Sequence, residues 1–238
     1  MKNEQQSAII HQKWPQSAIH SSIRGFIQAG GQSSRMKRDK AWLEIEGVPM
    51  IERMIVATKP AVERLGVIVN AANPRIEQYA KLTGSCGANL IFDLHEHRGP
   101  LGGIHTALTN CAANESALIL ACDLPFITTE FLSFLSDIHQ KPNPQSATRN
   151  PQSITVPLDQ SKRLQPLAAI YDQSLKPTIE QMMAANDLKV DLLYARVPTR
   201  QVGFIQFARL PGAERFFINI NTPEEYRAAL KITGDLIQ

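Results

Sequence analysis

Two short, nearly all-apolar runs constrain this chain most, residues 66–70 (Gly-Val-Ile-Val-Asn) and 117–121 (Ala-Leu-Ile-Leu-Ala), with residues 88–92 reading as a further strand between them. Runs of this length suit strands covered on both faces, as in a parallel sheet between helical layers. The stretches around them carry helical signals. Met50, Ile51, Met54 and Ile55 recur at helical spacing after Pro49, residues 74–82 read as a short helix, and Gly99-Pro100 opens another through residue 111. Thr128 or Thr129 caps a further helix running through Leu135. Strands and helices alternating at this interval predict an α/β fold, a three-layer Rossmann-like sandwich with a mostly parallel sheet.

Such sheets bind ligands beyond the carboxyl ends of their strands, so the residues that end each run gather along one edge. Those residues are Gly30, Asn70, Asp93 and Asp123. Each also has a purely local explanation. Asn70 and Asp93 have the chemistry of turn or cap residues. Asp123 stands between a buried strand and Leu124-Pro125, a rigid setting that suits a Mg²⁺ ligand as well as a cap.

The first strand, from Ile23, runs into Gly30-Gly31 and then Arg35, Lys37, Arg38 and Lys40. Adjacent glycines allow positive φ and can turn several N–H groups toward one anion, although a solvated basic turn has the same composition. Spacing excludes two familiar phosphate loops. A Walker loop needs Lys and Ser or Thr directly after its last glycine, whereas Lys40 is followed by Ala41. The dinucleotide pattern G-x-G-x-x-G is absent from residues 30–35. A long loop able to fold over a triphosphate remains, with Arg35 and Lys40 reaching back to it.

Residues 29–40 (Ala-Gly-Gly-Gln-Ser-Ser-Arg-Met-Lys-Arg-Asp-Lys) resemble the signature loop of the molybdenum cofactor guanylyltransferase (MobA) family. The similarity continues at Val69-Asn70, Phe92-Asp93, Gly99-Pro100-Leu101-Gly102-Gly103, Cys122-Asp123-Leu124-Pro125, Gln165-Pro166-Leu167 and Asn219-Ile220-Asn221-Thr222-Pro223-Glu224, from about Arg24 to the C-terminus. The resemblance implies transfer of GMP from GTP to molybdenum-molybdopterin, giving the guanine dinucleotide cofactor and pyrophosphate. It implies Arg35, Lys40 and Asp123 as catalytic residues, with Mg²⁺ held by Asp123 and Asn221. Gln28, Ala29, Gly30, Gly31, Lys40, Asn70, Asp93, Gly102 and Asp123 would bind the nucleotide. GTP, the molybdopterin cofactor and cofactor-delivery or acceptor proteins are the implied partners.

Two positions depart from the family: Gln28 replaces the usual Leu, and Lys37 replaces Gly. A sibling transferase using CTP or a sugar phosphate would fit the same sheet and Asp123. The double glycine favours guanine. A nucleotide-binding regulator without catalysis is the remaining alternative, and Arg35, Lys40 and Asp123 occurring together argue against it.

With 238 residues and 43% hydrophobic composition, the chain suffices for one domain, placed at residues 23–238 behind a disordered leader at residues 1–22. A net charge of +3 is too small to indicate nucleic acid, and no stretch has the length of a membrane span. Cys86, Cys111 and Cys122 have no metal spacing and leave one cysteine over in any disulfide scheme, which suits the reducing cytoplasm. A monomer is expected.

Prolines 142, 144 and 151 mark residues 141–153 as a surface loop. Residues 154–157 and 165–171 read as a hairpin adding an antiparallel edge, residues 175–185 and 190–194 as helices, and 201–204 as a strand. Thr222-Pro223-Glu224-Glu225 is a helix start with a capping box, which accounts for Thr222 but not for Asn221. His95 and His97 beside Glu96 form the one histidine pair suggestive of metal, yet alternating histidines on a loop close no ligand set. Ser33 and Ser34 have no neighbouring His and no nucleophile elbow, which leaves acyl transfer without support.

Overall fold

The structure is a computed structural model that describes residues 22–29, 39–95, 98–141 and 153–234. The loop positions Gly30, Gly31, Arg35 and Lys37 lie outside the described residues, as do residues 1–21, residues 142–152, and the pair Glu96 and His97.

Seven strands form one sheet: β1 (Ile23–Gln28), β4 (Arg64–Val69), β5 (Asn89–Phe92), β6 (Ser116–Ala121), β7 (Ile154–Pro157), β8 (Ala168–Asp172) and β9 (Thr199–Val202), in the order β5-β4-β1-β6-β8-β7-β9. Two-residue strands β2 (Glu44–Ile45) and β3 (Val48–Pro49) make a separate small ribbon. The helices are α1 (Met50–Thr58), α2 (Ile76–Cys86), α3 (Gly99–Thr109), α4 (Thr129–Gln140), α5 (Lys176–Ala184), α6 (Asp191–Tyr194) and α7 (Pro223–Gly234). Among the described residues no helix is long and apolar enough to cross a membrane.

Strand side chains alternate between the two faces. Ile27, Val67, Leu118, Leu120 and Ile170 face one core with Ile51 and Met54 of α1, Tyr79 of α2 and Phe131 of α4. Phe26, Ile68, Ala117, Ile119 and Tyr171 face the other, with Ile104 of α3 and Ile179 of α5. This is the expected three-layer sandwich. The end of the molecule is closed by a third cluster, in which Ile45, Met50, Ile220 and Ala229 pack α7 against the small ribbon.

The expected hairpin is present but does not form an antiparallel edge. β8 pairs antiparallel with both β6 and β7, while β7 pairs parallel with β9, so the one antiparallel strand is internal and β9 forms the rim. All five residues of β8 are buried or half-buried, as an inner strand requires. The strand expected at 201–204 is displaced to Thr199–Val202, because its register with β7 begins at Ile154 opposite Thr199. Just before β1, the Ser22 carbonyl accepts from Ser116 N at 3.0 Å, and its hydroxyl donates to Glu63 at 2.7 Å.

Strand order places the switch point where ligands bind in such folds. After β1 the chain moves outward through β4 to β5, then returns through α3 to lay β6 on the other side of β1. The crevice beyond the carboxyl ends of β1 and β6 is therefore open to a ligand.

Candidate active site

The far end of the basic loop is fastened before it delivers its lysine. Asp39 caps the turn Lys40–Trp42, its Oδ1 accepting from Ala41 N at 3.2 Å. Its Oδ2 accepts from Tyr79 at 2.9 Å and from Asn73 Nδ2 at 3.3 Å. Tyr79 shares its single hydroxyl proton between Asp39 and the Ala29 carbonyl, 3.1 Å away. Burial pushes the Tyr79 phenol well above its ordinary pKa, and the Asp39 charge adds to the effect, so it remains a donor. One tyrosine thus ties the end of β1 to the start of the next turn.

Lys40 then spans the crevice. Its ammonium donates to Asp123 Oδ2 at 2.9 Å and to Asn221 Oδ1 at 2.8 Å. Asp123 arrives from β6, and its carbonyl accepts from Ile220 N at 3.2 Å, which docks the segment before α7. The expected capping box holds that segment. Glu225 Oε2 accepts from Asn221 N at 2.6 Å and Thr222 N at 3.0 Å, while Thr222 Oγ1 accepts from Glu225 N at 3.1 Å. Lys40, Asp123 and Asn221, far apart in sequence, therefore meet at one point.

A cleft of about 470 Å³ opens beside them, lined by Gln28, Ala29, Asn70, Asp93, His95 and Gly99 as well as Lys40 and Asp123. Asn70 and Asp93 occupy the expected wall but are also held locally. Asn70 Oδ1 accepts from Ala72 N at 2.7 Å, and Asp93 Oδ1 accepts from Thr106 at 2.7 Å and from His95 N at 3.2 Å. Gly102 lies one turn into α3. It is buried there, where an added Cβ would lie 2.8 Å from Arg98 Cβ, and Gly99 and Pro100 line the cleft. Gln28 lies against Gly103, whose missing Cβ would stand 2.4 Å from the Gln28 amide carbon. The polar residue at this position is thus admitted by a glycine on the facing helix.

Asp39, Tyr79, Arg98 and the histidine pair His95 and His105 have no part in the sequence assignment. Asp39 lies within the signature loop and was available as a cap. The others depend on bonds between elements and leave no local signal. The His95–His97 pairing lies partly outside the described residues, and His95 instead contacts His105 at 2.8 Å.

Among the described residues no group of three or more His, Cys, Asp or Glu side chains could hold a metal. A nucleotide-borne divalent ion needs less, because Mg²⁺ takes one or two carboxylates and completes its shell with phosphate oxygens and water. Asp123 and Asn221 fit that role, since their oxygens already converge on one cation, the Lys40 ammonium.

A mostly parallel sheet that gathers a lysine, a carboxylate and an amide at its switch point, with a glycine-led basic sequence between β1 and that lysine, defines a nucleotidyltransferase. Residues 25–199 match the family model described as a MobA-like NTP transferase domain. A probable molybdenum cofactor guanylyltransferase of Clostridium perfringens is 34% identical over 209 residues, covering 86% of this chain and 94% of the relative. A molybdenum cofactor guanylyltransferase of Photobacterium profundum is 30% identical, covering 84% and 91%. The crystal structure of molybdopterin-guanine dinucleotide biosynthesis protein A from Archaeoglobus fulgidus shares the fold, with a TM-score of 0.72 at 23% identity over 89% of this chain and 99% of that one. The chain belongs to the molybdenum cofactor guanylyltransferase family. Membership is consistent with a divalent metal at the site.

Proposed function

We propose that the chain transfers GMP from GTP to molybdenum-molybdopterin, releasing pyrophosphate, as a single domain spanning residues 23–238. The meeting of Lys40 with Asp123 and Asn221 carries this reading, supported by the family relationship. Nucleotidyl transfer needs two anions held in line and their charge neutralised, with little covalent help from protein.

Each residue then has a part. Lys40 neutralises phosphate oxygens at the end of β1, and Arg35 adds further positive charge. Asp93 and Asn70 hold the nucleoside along the cleft wall, and Gln28, Ala29, Gly30 and Gly31 take part in binding the nucleotide. Asp123, assisted by Asn221, would hold Mg²⁺, which supplies charge neutralisation between phosphates when bound. In the resting site Lys40 shields the Asp123 carboxylate, and nucleotide phosphates compete for the same ammonium. The acceptor, molybdopterin, brings its own phosphate as the nucleophile and needs positioning more than activation.

A panel of the four NTPs with Mg²⁺, read by thermal shift, tests the nucleotide. A ligand that binds only the folded chain at a hundred times its Kd adds about 2.7 kcal/mol of stability, so GTP is expected to give the largest shift. A shift with CTP as large as that with GTP would instead indicate the sibling cytidylyl enzyme.

A further inference from the structure

His95 stands at the cleft end of a hydrogen-bonded chain that begins on α5. Glu180 Oε1 lies 3.2 Å from His105 Nε2, and His105 Nδ1 lies 2.8 Å from His95 Nε2. The rings meet edge to face with centroids 4.7 Å apart, and His105 is only 8% exposed. The proton positions follow from the acidic end. A carboxylate can only accept, and the hydrogen bond from His105 holds the Glu180 carboxyl below its ordinary pKa, so His105 Nε2 carries a hydrogen. With His105 uncharged, its Nδ1 is a lone pair, which obliges His95 Nε2 to donate. His95 is then left with a lone pair at Nδ1.

His95 is also held uncharged. Burial pushes its pKa below the ordinary value, His105 and Arg98 push the same way, and Asp93 opposes them. Its Nδ1 makes no hydrogen bond among the described residues, and His95 lines the cleft. β5, which leads into Asp93 and His95, is three strands from β6, which leads into Asp123. At about 4.8 Å per strand, that separation is roughly 14 Å. A ligand whose phosphates lie at Lys40 therefore brings its base, rather than a phosphate, toward His95.

We infer that His95 is a specificity-determining residue, fixed by Glu180 and His105 as a neutral hydrogen-bond acceptor for an N–H of an aminopyrimidinone edge. Guanine and pterin share that edge, with adjacent ring N–H and amino donors. The inference rests on the proposed substrates and adds the group that reads them. Glu180 and His105 act through His95 as positioning residues. A proton gained by His95 turns its Nδ1 into a donor that opposes the same edge. Among the described residues, the charged groups facing the pair are Glu180 with Lys176 3.8 Å from it, Asp93 and Arg98.

The test uses the full chain with Mg²⁺, measuring the Kd of GTP and ITP and the KM of molybdopterin at pH 8 and pH 5.5. His95→Ala is expected to raise one of these constants about tenfold at pH 8, the size of one lost hydrogen bond, with kcat changed less than about threefold. His95→Asn, whose amide oxygen accepts without titrating, should recover most of the loss and flatten the pH dependence of the wild type. A GTP Kd that weakens more than the ITP Kd assigns the contact to guanine, since ITP lacks the amino group. An effect confined to the molybdopterin KM assigns it to pterin.

Unchanged GTP affinity and molybdopterin KM in His95→Ala would overturn the inference. So would a ¹⁵N imidazole spectrum at pH 8 showing His95 protonated at Nδ1. A wild-type chain that does not bind GTP would defeat the proposed function instead, and the imidazole spectrum would still decide the tautomer of His95.

Discussion

Asp123 and Lys40 are separated by 83 residues, and their pairing makes two substitutions informative in different ways. Asp123→Asn keeps an oxygen for Lys40 but removes the charge that anchors a divalent ion between phosphates. Turnover should fall by roughly a hundredfold or more while the melting temperature changes little, a loss on the scale of a main electrostatic stabiliser. Lys40→Ala should cost a comparable factor, because Asp123 then faces the phosphates unshielded. Steady-state kinetics beside thermal melts checks both, and near-normal turnover in Asp123→Asn would place the metal elsewhere. Lys40 and Asp123 were legible in the sequence because each ends or follows a recognisable local feature, whereas Asn221 came with the family resemblance. Tyr79 was not legible, since its bond to Asp39 spans 40 residues and its helical position reads as ordinary core. The Gly-Pro-Leu-Gly-Gly pattern does not say which glycines face out of a helix. Burial of Gly102 against Arg98 and His95 decides that.

At the scale of elements, the start of α7 joins helix formation to the site. Glu225 accepts from Asn221 N as well as Thr222 N, so the capping box that begins the helix also sets the backbone carrying an amide to Lys40. Thr222→Ala removes the Oγ1 acceptor of Glu225 N and is expected to cost about 1 kcal/mol of stability, the usual scale for a lost N-cap. Some of that loosening should reach Asn221 as a two- to threefold rise in KM for nucleotide, roughly 0.5 kcal/mol, with kcat nearly unchanged. Urea denaturation and initial-rate kinetics on one preparation would show it, and a stability loss with no change in KM would uncouple the cap from the site. The inner strands of the parallel half were legible for a related reason: β4 and β6 carry short apolar runs bounded by turn residues, and that pattern is local. The place of β8 was not, because the hairpin pattern fixes its pairing with β7 but says nothing of which strand joins β6. That choice is made by long-range burial of Ala168, Ala169, Ile170 and Tyr171.

Across the whole molecule, the sheet must remain joined from its parallel half to β8, β7 and β9 for the cleft to keep its shape, and His139 of α4 helps to make that joint. One ring nitrogen bonds Thr155 of β7 at 2.9 Å and the other bonds Ser116 of β6 at 3.0 Å. With both nitrogens engaged by hydroxyls, the neutral ring is fully satisfied inside the helix–sheet interface. Burial lowers its pKa to about 4, Arg200 acting in the same direction and Asp172 against it. The unfolded chain protonates this histidine near its ordinary value of about 6.5, so between those two values the unfolded state binds the extra proton. The resulting stability is fully present above about pH 6.5 and is lost as the pH falls toward 4. A shift of this size corresponds to about 3 kcal/mol. His139→Gln, which retains polar atoms for the two hydroxyls but cannot titrate, should be less stable than the wild type at pH 7, and the gap between the two proteins should shrink by about 2 kcal/mol at pH 4.5. Urea midpoints of both proteins at the two pH values measure that gap, in which the carboxylates common to both cancel. An equal gap at pH 7 and pH 4.5 would show that His139 titrates alike in the folded and unfolded chains, and the acid sensitivity of the joint would then have to come from another group.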